Sequence, residues 1–173
     1  MCGITKTGLF VELTVLTVFT HSTKHYESMS HSKSKVWVHA VFATKNREPM
    51  INPAIQSHVH DELRHQLVDM DCFVDCIGGV ADHVHILFLL NPKKSIADVL
   101  KQVKGGSSHA FNQLKLSPTA FAWQTGYGAF SVSESHVQRV RSYILNQEEH
   151  HRTATFMDEY RRFMSHYGLP NDD

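Results

Sequence analysis

Apolar residues fall into readable patterns from residue 35 onward. Between Val36 and Ala43, the positions Val36, Val38, Ala40 and Phe42 alternate with Trp37, His39, Val41 and Ala43. Both faces of such a strand are largely apolar, which predicts a central strand covered on each side. The basic loop Lys45-Asn46-Arg47-Glu48-Pro49 ends it. The pattern then predicts a helix over Pro53 to Met70, where Ile55, Val59, Leu63 and Leu67 form one stripe. Two apolar runs follow, Cys72 to Val80 and His83 to Leu90, divided by Ala81-Asp82. So close a connection predicts an antiparallel hairpin.

After the turn Asn91-Pro92-Lys93-Lys94, Ser95 suits the N-cap of a second helix carrying Ile96, Val99, Leu100 and Val103. Asp98 falls in its first turn, where a carboxylate meets the positive helix end. Gly105-Gly106 interrupts the pattern and predicts a kink, a break or a close approach. Leu116 to Tyr127 reads as loop and Gly128 to Val132 as a short fourth strand. A third helix is predicted from a Ser133 cap to about Glu149, with an imperfect capping box through His136. A last helix, Thr155 to His166, spaces Phe156, Tyr160, Phe163 and Tyr167. The order predicts an α+β fold: a split βαβ domain, ferredoxin-like or RRM-like, with an antiparallel sheet and helices mainly on one face.

Residues 1–34 stand apart. The apolar stretch Gly8–Phe19 is short and carries Glu12, which excludes a membrane span. Lys6 ahead of it fits a signal peptide, but no clean small-residue cleavage pattern follows. A polar run rich in serine, histidine and lysine comes next, so 1–34 reads as a flexible extension and 35–173 as the compact domain. Met29 is a candidate natural start. Charge adds one exclusion: 17 basic residues balance 17 acidic ones, which rules out a globally basic nucleic-acid coat. Cys2, Cys72 and Cys76 offer no disulfide framework and no thiolate zinc site, so a reducing, cytoplasmic setting is expected.

Fourteen histidines are more than one metal site can use, so most must serve elsewhere. His83-Val84-His85 is the pair with chemical promise. Residues two apart on a strand face the same way, so two imidazoles converge on one side while Val84 turns to the other. Asp82, just ahead of the pair, is placed either to hold one imidazole or to shape the loop. In the third helix, Tyr143 and Gln147 lie four apart on one face. A buried structural phenol and a solvent-facing amide are the bland alternatives. A glutamine oxygen can nevertheless supplement two imidazoles, and a phenol offers an oxygen nucleophile.

Together, these segments resemble the IS200/IS605-type single-strand DNA transposases, HUH nucleases with one catalytic tyrosine. The resemblance runs from about Lys35 to Leu169. It is carried by Trp37–Lys45, by Gly79–Leu87 with its histidine pair, by Trp123–Val132, and by Val140–His151 with its Tyr-Ile-Leu-Asn-Gln segment. It implies that His83, His85 and Gln147 hold Mg²⁺ or Mn²⁺ and that Tyr143 is the nucleophile. It further implies cleavage and rejoining of single-stranded DNA through a 5′-phosphotyrosine, with hairpin DNA ends as partner. A homodimer with composite active sites completes the expectation, because helix and strand must be brought together.

Phosphate contacts are expected from Lys45, Arg47, Lys93, Lys94, Lys101, Lys104 and Arg139, each of which otherwise reads as solvated surface. Trp123, Tyr127 and Phe130 either stack on bases or pack under the sheet. Three alternatives stand beside the transposase. One is a domesticated relative that processes chromosomal palindromic repeats. Another is a noncatalytic nucleic-acid binding module. The third is a zinc hydrolase, which needs a further ligand and a water-activating group; His39 on its strand reads better as a core residue or a support behind a ligand, and of His150 and His151 one reads as surface and the other as a packing or DNA-contact residue.

Overall fold

The structure is a computed structural model that describes residues 33–115, 119–152 and 156–167. Almost all of these belong to one compact unit, Lys35–Asp173. The readings of the apolar stretch, the polar run and the Met29 start lie outside the described residues, as does Leu116–Pro118 of the expected loop.

Four strands make one antiparallel sheet in the order β2-β3-β1-β4. They are β1 (Trp37–Ala43), β2 (Phe73–Val80), β3 (His83–Leu89) and β4 (Gly128–Val132). Every residue of β1 is buried, as its two apolar faces require. Its alternation splits the core in two. Val38, Ala40 and Phe42 join Val84, Ile86 and Phe88 of β3 under helices α1 (Gln56–Asp69) and α2 (Ile96–Gln113). On the other face Trp37 and Leu87 pack with Val137 and Ile144 of helix α3 (Val137–Leu145). The protein is thus a mixed α+β domain whose helices flank both faces. The expectation of helices mainly on one face describes α1 and α2, and α3 corrects it: the His39, His83 and His85 face also needs a cover.

Local signals explain the boundaries. Val59, Leu63 and Leu67 are the buried stripe of α1. The helix starts later than expected because Asn52 first closes a turn, its Oδ1 accepting from Ala54 N–H at 3.0 Å. Ser95 caps α2 by accepting from Asp98 N–H at 3.0 Å. Helix α2 runs unbroken through Gly105-Gly106. Of the readings offered for that pair, close approach applies to Gly106 alone, where a Cβ would overlap the amide end of the Gln66 side chain of α1, while Gly105 faces open space.

The third helix departs more from expectation. Ser133 Oγ meets His136 Nδ1 at 2.6 Å rather than a backbone N–H, and Glu134–His136 form a 3₁₀ turn. Helix α3 then ends at Leu145, and Asn146 (φ −102°, ψ 21°) separates it from a short helix α4 (Gln147–His150). Tyr143 and Gln147 therefore sit on either side of a break. Helix α5 (Phe156–Tyr167) closes the described chain. Among the described residues, no helix is long and apolar enough to cross a membrane. Cys72 and Cys76 are buried free thiols, and burial beside Asp75 pushes Cys76 up to about 12.

Candidate metal centre and nucleophile

The sheet alternation that buries Val84 among α1 and α2 turns His83 and His85 toward α3 and α5, and both are fully buried. Each ring is held from behind. His83 Nδ1 lies 2.7 Å from Asp82 Oδ1, and His85 Nδ1 lies 3.0 Å from His39 Nε2 on the neighbouring strand. Both Nε2 atoms then face one carboxylate oxygen, Glu159 Oε2 of α5, at 3.6 Å from His83 and 3.4 Å from His85. The same oxygen is 3.2 Å from His151 Nε2. Gln147 is buried here too, and its Nε2 donates to Glu159 Oε1 at 3.1 Å.

The electrostatics follow from burial and charge. Burial, reinforced by His85, pulls His39 down to about 3, so it is neutral. A neutral His39 can accept at Nε2 from His85 Nδ1–H, which leaves the His85 Nε2 lone pair for a ligand. Burial works against protonation of His83, yet Asp82 and Glu159 outweigh it and raise its pKa. Glu159 is pushed up by burial, but the neighbouring His83 and His85 imidazoles outweigh it and hold it at about 2. Asp82 is lowered by its hydrogen bond with His83.

These residues fit a divalent ion. Ligand atoms of His83, His85 and Glu159 lie within 4.8 Å of one another. Gln147 Oε1 is buried with no hydrogen-bond partner among the described residues, an acceptor in want of a donor or a cation. Two imidazoles, a carboxylate and an amide oxygen form a mixed N/O set suited to a hard or borderline divalent metal.

Tyr143 stands beside the cluster. Its ring lies edge-on to His85, with centroids 5.6 Å apart, and edge-on to His39 at 6.2 Å; its hydroxyl oxygen is buried. Two features deliver it there. Asp75 of β2 and Arg141 of α3 pair through both oxygens, at 2.7 Å from Nε and 2.5 Å from Nη2. Gly78 of β2 lets the Ile144 backbone come close, since a Cβ there would overlap the Ile144 carbonyl. His83, His85 and Gln147 thus gather around Glu159 within one chain, with Tyr143 of the same chain beside His85.

The same buried face lies in a domain whose sequence carries a family signature. The profile of the family described as "Transposase IS200 like" matches residues 32–147. The chain belongs to the IS200-like transposase family. Within the HUH nuclease group, this membership makes the protein a transposase of the Y1 kind and places single-stranded DNA among the themes of its biology. The crystal structure of a candidate transposase from Deinococcus radiodurans is 27% identical, with a TM-score of 0.55 over 70% of this chain and 97% of that one. A REP-associated tyrosine transposase bound to a REP hairpin is 13% identical, with a TM-score of 0.46 over 67% of this chain and 68% of that one. No curated protein matches.

Glu159 has no counterpart among the residues singled out from the sequence, and His151, set aside there as a packing, DNA-contact or surface residue, joins the cluster. The family match stops at residue 147, short of both. The α5 sequence is patterned by its aromatic spacing, and the signal it carries for the site is an acid, Glu159, among those aromatic positions. His151 packs its ring against His83, centroids 4.6 Å apart, so it belongs to the cluster. The His150 side chain lies outside the described residues. His39 is buried and supports His85 from behind, in keeping with the core or supporting role its strand position suggests.

The basic residues do not gather on one face. Lys45 and Arg47 follow β1 at the end where Ala43 pairs with His83, and Thr44 N–H bonds Asp82 O at 2.8 Å, so they adjoin the site. Lys93 and Lys94 follow the far end of β3, Lys101 is exposed on α2, and Arg139 is exposed on α3 across the sheet. Lys104 donates to Gln124 O at 2.8 Å and to Gly126 O, and lies over the Phe42 and Tyr127 rings, which ties it into the loop. Trp123 packs against Phe42 and Phe121 and donates to Ser107 Oγ at 2.9 Å, and Phe130 is buried; both are packing residues. Tyr127 is exposed.

Proposed function

We propose that this transposase cuts and rejoins single-stranded DNA with Tyr143 as nucleophile, on a scaffold read as split βαβ, ferredoxin-like or RRM-like. The strand order β2-β3-β1-β4 supports the scaffold. The observation that carries the chemistry is the buried Tyr143 hydroxyl beside His85, within the cluster of His83, His85, Gln147 and Glu159.

Mg²⁺ or Mn²⁺ would be held by His83, His85 and Gln147, with Glu159 as a further donor. When bound, such an ion supplies Lewis-acid polarisation of a nonbridging phosphate oxygen. The chain's own residues do the rest. Asp82 and His39 keep the two imidazoles turned with Nε2 forward. The Arg141–Asp75 pair and the close Gly78 contact hold α3, and so Tyr143, at a fixed depth. Tyr143 Oη forms a bond to phosphorus as the P–O3′ bond breaks; the phenolic proton is lost and the 3′ oxygen ends protonated. The 5′-phosphotyrosine keeps the ester bond energy, and attack by a 3′-hydroxyl reverses the step. Hydrolytic water and nucleotide cofactor are both unnecessary.

The DNA partner is read as hairpin-ended single strand, with Lys45 and Arg47 nearest the scissile phosphate and Lys93, Lys94, Lys101 and Arg139 as outlying contacts. A homodimer would serve to hold two DNA ends. Exchange of Tyr143 between its chains is tested by mixing Tyr143→Phe with His83→Ala protein, where restored activity would show composite sites. Whether the protein moves its own element or processes chromosomal repeats depends on the DNA, since both roles use the same residues.

The deciding experiment incubates the protein with labelled single-stranded hairpins and Mg²⁺ or Mn²⁺. A covalent protein–DNA product is expected, absent in Tyr143→Phe and strongly reduced in His83→Ala. Covalent product persisting in the folded Tyr143→Phe variant would overturn the assignment.

A further inference from the structure

A cavity of roughly 350 Å³ lies beside the metal-site cluster. Gln56 and His60 of α1 wall it on one side, and Gly78 and Gly79 of the edge strand β2 on another. Gln147 belongs to both places: it lines the cavity and donates to Glu159. The volume falls at the small end of the range for ligand sites.

Its lining specifies the ligand chemistry. His60 Nε2 is buried with no hydrogen-bond partner among the described residues. Burial also lowers the His60 pKa, so the ring is neutral and presents one donor and one acceptor. The Gln56 amide reaches Gly79 O only at 3.5 Å, at the limit of a hydrogen bond, so it can turn to another partner. The charged lining residues are Glu148, Glu149 and Arg152, and Arg152 is already paired with Glu149 at 3.0 Å. That net acidity repels phosphate. A neutral imidazole and an amide instead match the donor and acceptor edge of a heteroaromatic base.

We infer that this cavity receives one unstacked nucleobase, from the nucleotide adjoining the phosphate at His83 and His85, and reads its edge through His60 and Gln56. This rests on the DNA chemistry proposed above and adds a source of sequence preference at the cleavage point.

The test uses the full chain with Mn²⁺ and a pool of single-stranded DNA hairpins whose flanking nucleotides are randomised. Strands retained on the protein and strands covalently attached to it are sequenced separately. In the wild type, one flanking position should favour one base by about tenfold, the discrimination of a good edge contact. Gln56→Ala/His60→Ala should abolish that preference and lower total hairpin retention by no more than about threefold, the share that one lost base contact supplies. Should the double variant fail to fold, His60→Gln keeps a polar side chain and should change which base is favoured. An unchanged preference in either folded variant overturns the inference, as does the lack of any flanking preference in the wild-type retained strands. Preference among retained strands without covalent product leaves the pocket standing and counts against Tyr143 alone. Retention of no DNA overturns both.

Discussion

Substituting one methyl group on β2 should disable the proposed nucleophile, Tyr143, without touching it. Gly78 lies opposite His85 in the β2–β3 pairing, and α3 crosses directly over it. A Cβ at Gly78 would stand 3.0 Å from both the carbonyl carbon and Cγ2 of Ile144, and closer still to the carbonyl oxygen. Relaxed carbon contacts sit at about 3.5–4.0 Å, so α3 must lift by roughly 1 Å in Gly78→Ala. The obstacle is backbone, and no rotamer of Ile144 removes it. Overpacking of this kind costs about 1–3 kcal/mol, a fall of roughly 3–12 °C in Tm for a domain of this size. The functional loss should be larger, because Tyr143 precedes Ile144 and a 1 Å misplacement of a reacting group can cost about 100-fold. The assay is the single-turnover rate of covalent adduct formation, with Tm and Mn²⁺ affinity measured on the same samples. Mn²⁺ affinity should fall much less, since His83 and His85 stay on β3. Adding Ile144→Ala should fail to rescue the rate, because the carbonyl remains. A Gly78→Ala protein with native Tm and a rate within about twofold of wild type would refute the reasoning.

Three further outcomes follow from the same geometry. His39→Phe should weaken Mn²⁺ binding by about 10- to 100-fold, the usual cost of losing a partner behind a metal-bound imidazole, while His39→Gln, which restores an acceptor, should recover most of it; equal losses would reduce His39 to packing. Glu159→Ala should lower Mn²⁺ affinity at least about tenfold by titration, and an unchanged affinity would show that the carboxylate merely neighbours the imidazoles. The pH dependence has a definite sign. The stabilisation from His83, whose pKa is raised, is lost as pH rises through its folded value above 6.5, and that from Glu159 is lost as pH falls from 4.5 toward about 2. Burial of neutral His39 and His60, whose pKa values are lowered, removes stability as pH falls below 6.5, so the metal-free domain should be most stable near pH 6.5, and Mn²⁺, which competes with the His83 proton, should raise Tm more at pH 8 than at pH 6. A metal-free Tm that climbs steadily from pH 6 to pH 8 would contradict this.

Much of the site was legible in residue spacing. The pair His83 and His85 shares a face because strands alternate, and of the two roles open to Asp82 the structure takes that of holding the His83 ring. The central position of β1 followed from its two apolar faces, and the α1 stripe from its four-residue recurrence. Each of these depends on local backbone geometry, which the chain carries with it. The continuous third helix failed for a related reason: four-residue spacing places Tyr143 and Gln147 on one face but says nothing of a break at Asn146. Likewise Gly105-Gly106 signalled something special, and only the neighbouring Gln66 showed that it was close approach at Gly106.

By itself, then, the sequence determined the elements, the two-faced strand, the imidazole pair and the tyrosine–amide segment, all set by periodicities spanning a few residues. Tertiary structure decided that Glu159 and His151 enter the cluster, that His39 backs His85, that α3 covers the second face of the sheet, and that Lys104 is tied into a loop. Those are contacts between elements distant along the chain. Packing selects them through burial and charge pairing, and no local repeat announces them.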